Sequence, residues 1–472
     1  MAAASEIVAR AREATRAFRL LGQEATDRIV RAAYHALLDA RISLARLAFE
    51  ETGIGCWEHK ALKNAMAAQL VWDDIRDLKT VGLISEDRRA GIAEVAQSLG
   101  PILALVPVTN PTSTTIFKAL IALKTRNPLI VCPHPAARRS VAATAELCYR
   151  AAREAGAPEH CIQWLPRATP EATRALLAER GLALILATGT GPLVREAQST
   201  GTPAFGVGPG NVPVYVGASA DLPFAVASIL ESKTFDNGSV CASEQAIVVK
   251  RAVAARLSQE LRAQGGYFMT AEETAAVGAI AYDAERGSMT ATVVGQSAER
   301  IARSAGFAVP AGTRVLLASL AGVGRDYPLS AEVLAPILAF YVEDDFDAAI
   351  RRCSEILRFG GIGHTAVIYS NDEERIEYFS ETIDAGRILV NMPSTHGALG
   401  GMYNTLSTSF MLGCGAGGNN LTTDNITARH LLNVHRITRR RPNPRWFSLD
   451  VRRLLDESVT GATIESEYSR NS

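Results

Sequence analysis

The chain has 472 residues, 47% of them hydrophobic and 21% charged, which is typical of a globular protein with room for two domains or more. Lys plus Arg and Asp plus Glu number 49 each, and this zero net charge argues against a nucleic-acid partner, which needs clustered cations. The sequence contains no uncharged apolar run of about 18 residues, so it predicts no membrane span.

The seven cysteines are scattered and form no CxxC pair. That pattern predicts neither a metal site nor a disulfide framework, and it favours a reducing, cytoplasmic compartment.

The N-terminal part is predicted to be helical. Between residues 5 and 80, apolar residues such as Ile29, Ala33 and Leu37 recur at spacings of three and four. Residues 80–98 are short, polar-alternating and charged at their centre, which predicts a β-hairpin that pairs with another subunit.

Strands and helices alternate from Pro101 onwards. The predicted strands of the first cycle are 102–106, 129–132, 161–165 and 182–187, with helices at 114–124, 138–155 and 170–180. A second cycle begins near Leu222, with strands 246–249, 314–317 and 365–369 and a helix at 345–357. Such repeats predict parallel sheets covered on both faces, and therefore two doubly wound α/β domains.

Cys241 is the thiol with the strongest claim to reactivity. It ends a polar, glycine-containing turn that begins at Thr234, whereas Cys132 ends an apolar strand and is expected to be structural. A turn of this kind predicts an accessible thiol whose pKa is lowered by backbone N–H groups. Cys414, in the glycine-rich segment 413–420, is the second candidate.

The loop 107–114 leads from a strand into a helix, where ligands bind in open α/β sheets. Asn110 has two interpretations there: it caps the helix, or its amide donates to a developing oxyanion.

Two further loops contain glycines. Segment 187–194 opens a helix after a strand, as a dinucleotide site would, but Val194 stands where G-x-G-x-x-G needs its third glycine. Segment 206–211 carries no carboxylate and offers close backbone approach. His364 is either a strand-end histidine or functional, and Glu332 is either exposed or a ribose ligand.

Together these segments resemble the CoA-acylating branch of the aldehyde dehydrogenase superfamily over residues 5–437. The resemblance is carried by 132–135, 186–189, 206–211, 233–245 and 363–366. It implies that Cys241 is the nucleophile, that Asn110 and the Cys241 N–H stabilise the oxyanion, and that NAD is bound by a defined set of residues. That set is Pro133, His134, Thr188, Gly189, Gly208 and Glu332.

The resemblance also bears on deacylation. Hydrolytic members carry a glutamate in a Glu-Leu-Gly-Gly-Lys loop, and the matching segment here, 206–211, has none. A missing general base typically costs about 10²–10⁴-fold in the step it serves. Transfer of the acyl group to coenzyme A is therefore expected, with His364 assisting the CoA thiol.

The expected substrate is a short-chain aldehyde, with sulfoacetaldehyde or succinate semialdehyde second. Segment 392–400 is expected in the aldehyde pocket, where Ser394, Thr395 and His396 would donate hydrogen bonds. Arg138 and Arg139 would suit the 2′-phosphate of NADP, so NADP is an alternative to NAD as the cofactor. Alternatives are a hydrolytic aldehyde dehydrogenase, an acyl-phosphate reductase and a non-catalytic paralogue.

The expected domains are a nucleotide-binding domain at 1–220, with the hairpin at about 80–98 and completed by about 400–450, and a catalytic domain at 221–400. Residues 446–472 form a divergent tail, either disordered or an interaction peptide. A homodimer or homotetramer is expected, with a separate alcohol dehydrogenase or a microcompartment as further partners.

Overall fold

The structure is a computed structural model that describes residues 2–166, 168–285 and 287–470. Its helices are α1 (Ala2–Phe18), α2 (Gln23–Asp39), α3 (Arg41–Thr52), α4 (Trp57–Ile75), α5 (Pro111–Lys124), α6 (Arg138–Glu154), α7 (Pro170–Leu177), α8 (Gly191–Gln198), α9 (Leu222–Thr234), α10 (Arg251–Ala263), α11 (Ala271–Ala281), α12 (Ala298–Ser304), α13 (Phe346–Gly360), α14 (Glu373–Thr382), α15 (Ser394–Leu399), α16 (Pro444–Phe447), α17 (Val451–Leu454) and α18 (Gly461–Arg470). Its strands are β1 (Gly82–Asp87), β2 (Ile92–Ser98), β3 (Ile102–Val106), β4 (Leu129–Pro133), β5 (Ile162–Trp164), β6 (Leu184–Thr188), β7 (Ala204–Val207), β8 (Val212–Val216), β9 (Glu244–Lys250), β10 (Gly266–Phe268), β11 (Tyr282–Asp283), β12 (Ser288–Met289), β13 (Val315–Ser319), β14 (Ile337–Glu343), β15 (Ala366–Tyr369), β16 (Ile388–Val390) and β17 (Leu432–Thr438).

The chain forms two compact units. The larger comprises Met1–Leu78 and Ser98–Leu432, and the smaller comprises Lys79–Gln97 and Asn433–Ser472. No helix among the described residues is both long and apolar enough to cross a membrane.

The larger unit contains a five-stranded parallel sheet in the order β5-β4-β3-β6-β7. Strand β3 is buried along its whole length because helices cover both faces of the sheet. The chain leaves β3 towards β4 and β5 and then returns to β6 on the other side. A crevice at the carboxyl ends of β3 and β6 is where such sheets bind ligands.

The larger unit also contains a seven-stranded parallel sheet in the order β10-β13-β14-β9-β8-β15-β16. The predicted α/β architecture with two parallel sheets is confirmed. Strand β8 was not predicted, and it pairs with β9, so the change of sheet falls between Val207 and Val212, ahead of the expected boundary at residue 220. The assignment of one sheet to nucleotide binding and the other to catalysis stays a prediction.

The smaller unit is a three-stranded sheet followed by short helices. The predicted hairpin is present as antiparallel β1 and β2, and β17 adds a third strand that the pattern did not indicate. The tail after residue 443 forms α16, α17 and α18. Its last two residues, 471 and 472, lie outside the described residues.

Two predicted boundaries near the crevice are wrong. Helix α5 begins at Pro111 rather than Thr114, because proline at the first helical position has a suitable φ and loses no helical hydrogen bond. Gly206 and Val207 belong to strand β7 rather than to a loop, so the loop is reduced to residues 208–211.

Candidate active site

Cys241 and Asn110 open into one pocket between the two sheets. Asn110 precedes α5, and Cys241 lies between a 3₁₀ turn at Phe235–Gly238 and strand β9. The pocket is lined by Lys63, Pro107, Asn110, Thr114, Thr188, Val207, Val240, Cys241, Leu399, Phe410 and Leu412. The structure therefore brings together the two residues that the sequence predicted for nucleophile and oxyanion donor.

The Asn110 side chain does not cap its helix. Asn110 occupies the N-cap position of α5 without a side-chain hydrogen bond to it. Its Nδ2 instead donates to the carbonyl of Ser239 at 3.2 Å and to Thr109 Oγ1 at 3.1 Å. The capping interpretation is therefore wrong, and the amide faces the turn that delivers the thiol.

The Cys241 thiol is held mainly in its protonated form. Burial raises its pKa to about 12, and the carboxyl of Glu332 and the thiol of Cys414 add to that rise while Arg387 opposes it. The expected lowering of this pKa is wrong for the free protein. Partial burial and the nearby Glu332 carboxylate favour the protonated thiol more than Arg387 and the backbone N–H favour the thiolate.

Glu332 is held beside the thiol by backbone. Its Oε1 accepts from Gly210 N–H at 2.7 Å. Burial raises the Glu332 pKa to about 7, although that N–H and the ammonium of Lys233 oppose the rise. Lys233 Nζ donates to Val333 O at 3.2 Å and to Gln245 Oε1 at 3.0 Å, which fixes the backbone next to the carboxylate.

Gly210 packs directly against Cys241. A Cβ at this position would overlap the Cys241 carbonyl oxygen and would lie 3.1 Å from His364 Nδ1. At Gly208, in contrast, a Cβ would meet no heavy atom within 4 Å. The loop thus packs closely against the Cys241 backbone at Gly210 and leaves room for a side chain at Gly208.

His364 lies behind Gly210 rather than in the pocket wall. Its Nδ1 is 3.0 Å from Thr365 Oγ1, and its buried Nε2 has no hydrogen-bond partner among the described residues. Burial, reinforced by Arg387, lowers the His364 pKa to about 3, so the free protein holds a neutral imidazole. Its predicted role towards CoA stays a prediction.

Cys414 is buried, and its Sγ donates to Leu412 O at 3.3 Å. Burial raises its pKa to about 11. This thiol supports the adjoining loop, as expected for the weaker of the two candidates.

Of the residues expected to bind the nucleotide, all but Glu332 lie at the carboxyl edge of the five-stranded sheet, and Glu332 lies in the loop before β14 of the seven-stranded sheet. Pro133 ends β4, with His134 following, and Thr188 ends β6, with Gly189 following. Thr188 Oγ1 accepts from the buried Lys118 Nζ at 3.0 Å. Gly208 follows β7 on the same edge, and a Cβ there would meet no heavy atom within 4 Å.

Arg138 and Arg139 begin helix α6. Its first N–H groups are already used, because Arg139 N and Ser140 N donate to the Glu51 carboxylate at 2.7 and 2.8 Å.

The segment 392–400 contributes only Leu399 to the pocket lining among the described residues. Ser394 N–H donates to Glu244, Thr395 N–H donates to Ser232, and the His396 ring packs against Phe235. None of Ser394, Thr395 and His396 lines the pocket among the described residues, and their expected hydrogen bonds to the substrate stay a prediction.

Sequence reasoning missed a buried charge cluster beside Asn110, formed by Lys60, Lys63 and Asp236. Lys60 and Lys63 are three residues apart on α4, and both bond Asp236 Oδ2. The signal available was two lysines on the helix stripe that carries apolar residues such as Ala67.

One family model and several known proteins are similar to this chain along most of its length. A family model described as the aldehyde dehydrogenase family matches residues 1–405. The bifunctional aldehyde-alcohol dehydrogenase AdhE of Escherichia coli K12 is 41% identical over 447 residues, covering 94% of this chain and 50% of that protein. The chain thus spans about half the length of that curated relative. The acylating sulfoacetaldehyde dehydrogenase of Cupriavidus necator is 36% identical, covering 92% of this chain and 88% of that protein.

Two solved structures are similar along most of the chain. An acetylating aldehyde dehydrogenase from Geobacillus thermoglucosidasius has a TM-score of 0.90 and 41% identity, covering 94% of this chain and 98% of that one. A propionaldehyde dehydrogenase from Rhodopseudomonas palustris, solved with bound CoA and an acylated cysteine, has a TM-score of 0.83 and 25% identity, covering 92% of this chain and 97% of that one.

Proposed function

This chain belongs to the aldehyde dehydrogenase family, and we propose that it oxidises a short-chain aldehyde to an acyl-CoA with NAD through a thioester on Cys241. The observation that carries the proposal is the pocket shared by Cys241 and Asn110. A nucleophile and an amide donor that face one cavity are the minimal set for acyl transfer. The relatives named as acylating enzymes, and the one solved with CoA and an acylated cysteine, support the choice of acceptor.

The proposed reaction begins when the Cys241 thiolate attacks the aldehyde carbonyl. The thiohemiacetal oxyanion is stabilised by Asn110 Nδ2 and the Cys241 N–H. When bound, the nicotinamide cofactor supplies the hydride acceptor, and Glu332 with the edge residues Thr188 and Gly189 would hold it. Loss of hydride leaves an acyl thioester on Cys241.

The CoA thiolate then attacks the thioester carbonyl, and the Cys241 thiolate leaves. Overall, aldehyde, NAD⁺ and the CoA thiol become acyl-CoA, NADH and one proton. His364 is proposed to assist the CoA thiol. Its Nε2 has no hydrogen-bond partner among the described residues, which supports that role once the loop at Gly210 moves away from the buried ring.

The choice of a thiol over water as acceptor follows from what faces Cys241. Among the described residues that line the pocket, Val207, Val240 and Leu412 are apolar and none carries a carboxylate. Glu332 lies nearby, but its Oε1 is engaged by Gly210 N–H. A thioester in these surroundings lacks a positioned base for water and still exchanges with a thiolate.

The lining also favours one substrate class. Leu399, Phe410 and Leu412 present apolar surface, and the one cation, Lys63, is already paired with Asp236. A terminal sulfonate or carboxylate would lose water there without gaining a partner. We therefore rank acetaldehyde and propionaldehyde above sulfoacetaldehyde and succinate semialdehyde.

NADH absorbance with a panel of these four aldehydes, with and without CoA, tests the proposal. We expect sustained NADH formation only with CoA, and a single turnover per Cys241 without it. Sustained CoA-independent turnover would establish the hydrolytic alternative, and turnover that requires phosphate would establish the acyl-phosphate reductase. The same panel with NADP tests the cofactor choice.

The proposal extends to location and assembly. A cytoplasmic homodimer or homotetramer that pairs through the three-stranded sheet is supported by the exposed side chains of Leu83 and Ile437 on β1 and β17. Light scattering coupled to gel filtration measures the assembly, and a monomeric mass would reject it.

A further inference from the structure

A buried cluster with one excess positive charge lies directly behind Asn110. Lys60, Lys63 and Asp236 expose 2%, 1% and 0% of their side chains, so all three charges are removed from water. Burial lowers the pKa of Lys63 to about 8, with the Asp236 carboxylate opposing the shift, so Lys63 is mainly an ammonium at neutral pH. Two lysines against one aspartate leave the cluster formally at +1.

Asp236 is built into this position by its backbone. It has a left-handed φ of 50°, its Oδ1 accepts from Cys56 N–H at 2.8 Å, and its Oδ2 accepts from Ser239 Oγ at 2.7 Å. A non-glycine residue in this conformation is strained and needs its surroundings to hold it. The turn that ends in Cys241 is thereby anchored to helix α4.

The two lysines divide their remaining bonds differently. Lys60 Nζ donates to the backbone carbonyl of Thr109 at 3.0 Å, whereas Lys63 Nζ donates to the side-chain oxygen Oδ1 of Asn110. An ammonium has donors and no acceptor, so it can face only the oxygen of an amide. With Lys63 in place, Nδ2 of Asn110 must point to the opposite side, towards Ser239 O and the pocket.

We propose that Lys63 is a positioning residue that fixes the orientation of the Asn110 amide, so that its N–H₂ faces the thiohemiacetal oxyanion. The inference rests on the proposed function. An asparagine rotated by half a turn would direct its oxygen at the oxyanion, and like partial charges would then repel. The excess charge of the cluster, transmitted through the Lys63–Asn110 bond, also polarises the amide in the direction that favours an anion.

The test compares Lys63→Met with Lys60→Met. Both changes remove one buried cation and leave the other lysine on Asp236, but only the first removes the donor to Asn110. The readout is the rate of the first NADH turnover on mixing enzyme, NAD and propionaldehyde without CoA. The NAD dissociation constant and the melting temperature are measured on the same proteins.

Loss of an oxyanion donor costs about 10²–10³-fold, so we expect Lys63→Met to slow the first turnover by about 10-fold or more. Lys60→Met is expected to slow it far less. NAD affinity is expected to stay within about twofold in both variants, because neither lysine hydrogen-bonds a residue expected to hold NAD. Equal losses in the two variants would overturn the proposal, because they would indicate a general effect of the cluster.

A double-mutant cycle with Asn110→Ala separates orientation from structural damage. If Lys63 acts through Asn110, adding Lys63→Met to Asn110→Ala slows the first turnover by less than about twofold. A full additional loss in that background would overturn the proposal. If Lys63→Met does not fold, Lys63→Gln replaces it, because its amide can present either oxygen or nitrogen to Asn110 and a smaller loss of the same sign is expected.

The wild-type protein in the same assay separates this inference from the proposed function. Absence of any first-turnover NADH in wild type would reject the proposed function. A normal wild-type burst that Lys63→Met leaves unchanged would reject the role of Lys63 alone.

Discussion

Gly210 donates its backbone N–H to the Glu332 carboxylate at 2.7 Å while its Cα packs against the carbonyl of Cys241. One glycine thus connects the acid expected at the nicotinamide ribose with the nucleophile. The sequence indicates only that the segment around this loop has no base. In the structure, the loop 208–211 contacts both Glu332 and Cys241 through Gly210.

Gly210→Ala is expected to destabilise the protein. The new Cβ would overlap the Cys241 carbonyl oxygen, which is backbone and cannot rotate away, and overpacking typically costs about 1–3 kcal/mol. Thermal or urea unfolding measures the loss. Gly208→Ala is the matched control, since its Cβ meets nothing within 4 Å and the unfolding midpoint should not move. Equal unfolding midpoints for the two variants would contradict the close approach of Gly210 to the Cys241 carbonyl.

Alkylation of Cys241 in the free protein is expected to accelerate steadily with pH. Its pKa of about 12 lies above the working range, so above about pH 8, where Glu332 is already ionised, the thiolate fraction rises about tenfold for each pH unit without a plateau below pH 10. Iodoacetamide labelling between pH 6 and 10, read by peptide mass spectrometry at Cys241, measures the profile. A plateau near pH 7 would mean that the thiol is activated before any ligand binds.

Glu332→Gln is expected to make Cys241 more reactive. The Glu332 carboxylate raises the thiol pKa, so removing its charge stabilises the thiolate, and labelling at pH 8 should speed up by about threefold or more. Because the Glu332 pKa is about 7, the carboxyl is protonated at pH 5.5, and there the variant and the wild type should label at similar rates. Slower labelling of the variant at pH 8 would contradict the assigned sign.

Val207→Glu is expected to open a hydrolytic route. Val207 lines the pocket with Cys241, so a carboxylate there would face the thioester and activate water, and a general base contributes about 10²–10⁴-fold. NADH formation without CoA should then continue beyond one turnover. Val207→Gln is the control of equal shape that provides no base. If both variants stop after one turnover, the wall at Val207 does not select the acceptor.

Local patterns were sufficient for much of this protein. The helical start, the hairpin and the alternation after Pro101 are all present, because periodicity reports which face of an element is buried. Patterns failed where short strands are completed by distant partners. Strand β8 is recognisable only through its pairing with β9, and β17 only through its place beside β2.

The residues of the site also divide into those that local sequence predicts and those that only the structure reveals. Sequence predicted Cys241, Asn110 and Glu332 as site residues, and the structure places the first two in one pocket and Glu332 close enough to raise the Cys241 pKa. It also placed Ser394 and His396 in the pocket, which neither of them lines among the described residues. It also missed Lys63, although the position of this lysine on the apolar stripe of α4 was an available signal.

The sequence by itself determined the family and the parallel α/β architecture, since both follow from residues that stand together along the chain, and through the family resemblance it predicts Cys241 as the nucleophile. Tertiary structure alone decided the direction of the Cys241 pKa and the orientation of Asn110. The first depends on burial and on Glu332, and the second on Lys63, 47 residues before Asn110, and Asp236, 173 residues after Lys63. Electrostatic effects of this kind depend on distance in space and on removal from water, which local sequence patterns do not record.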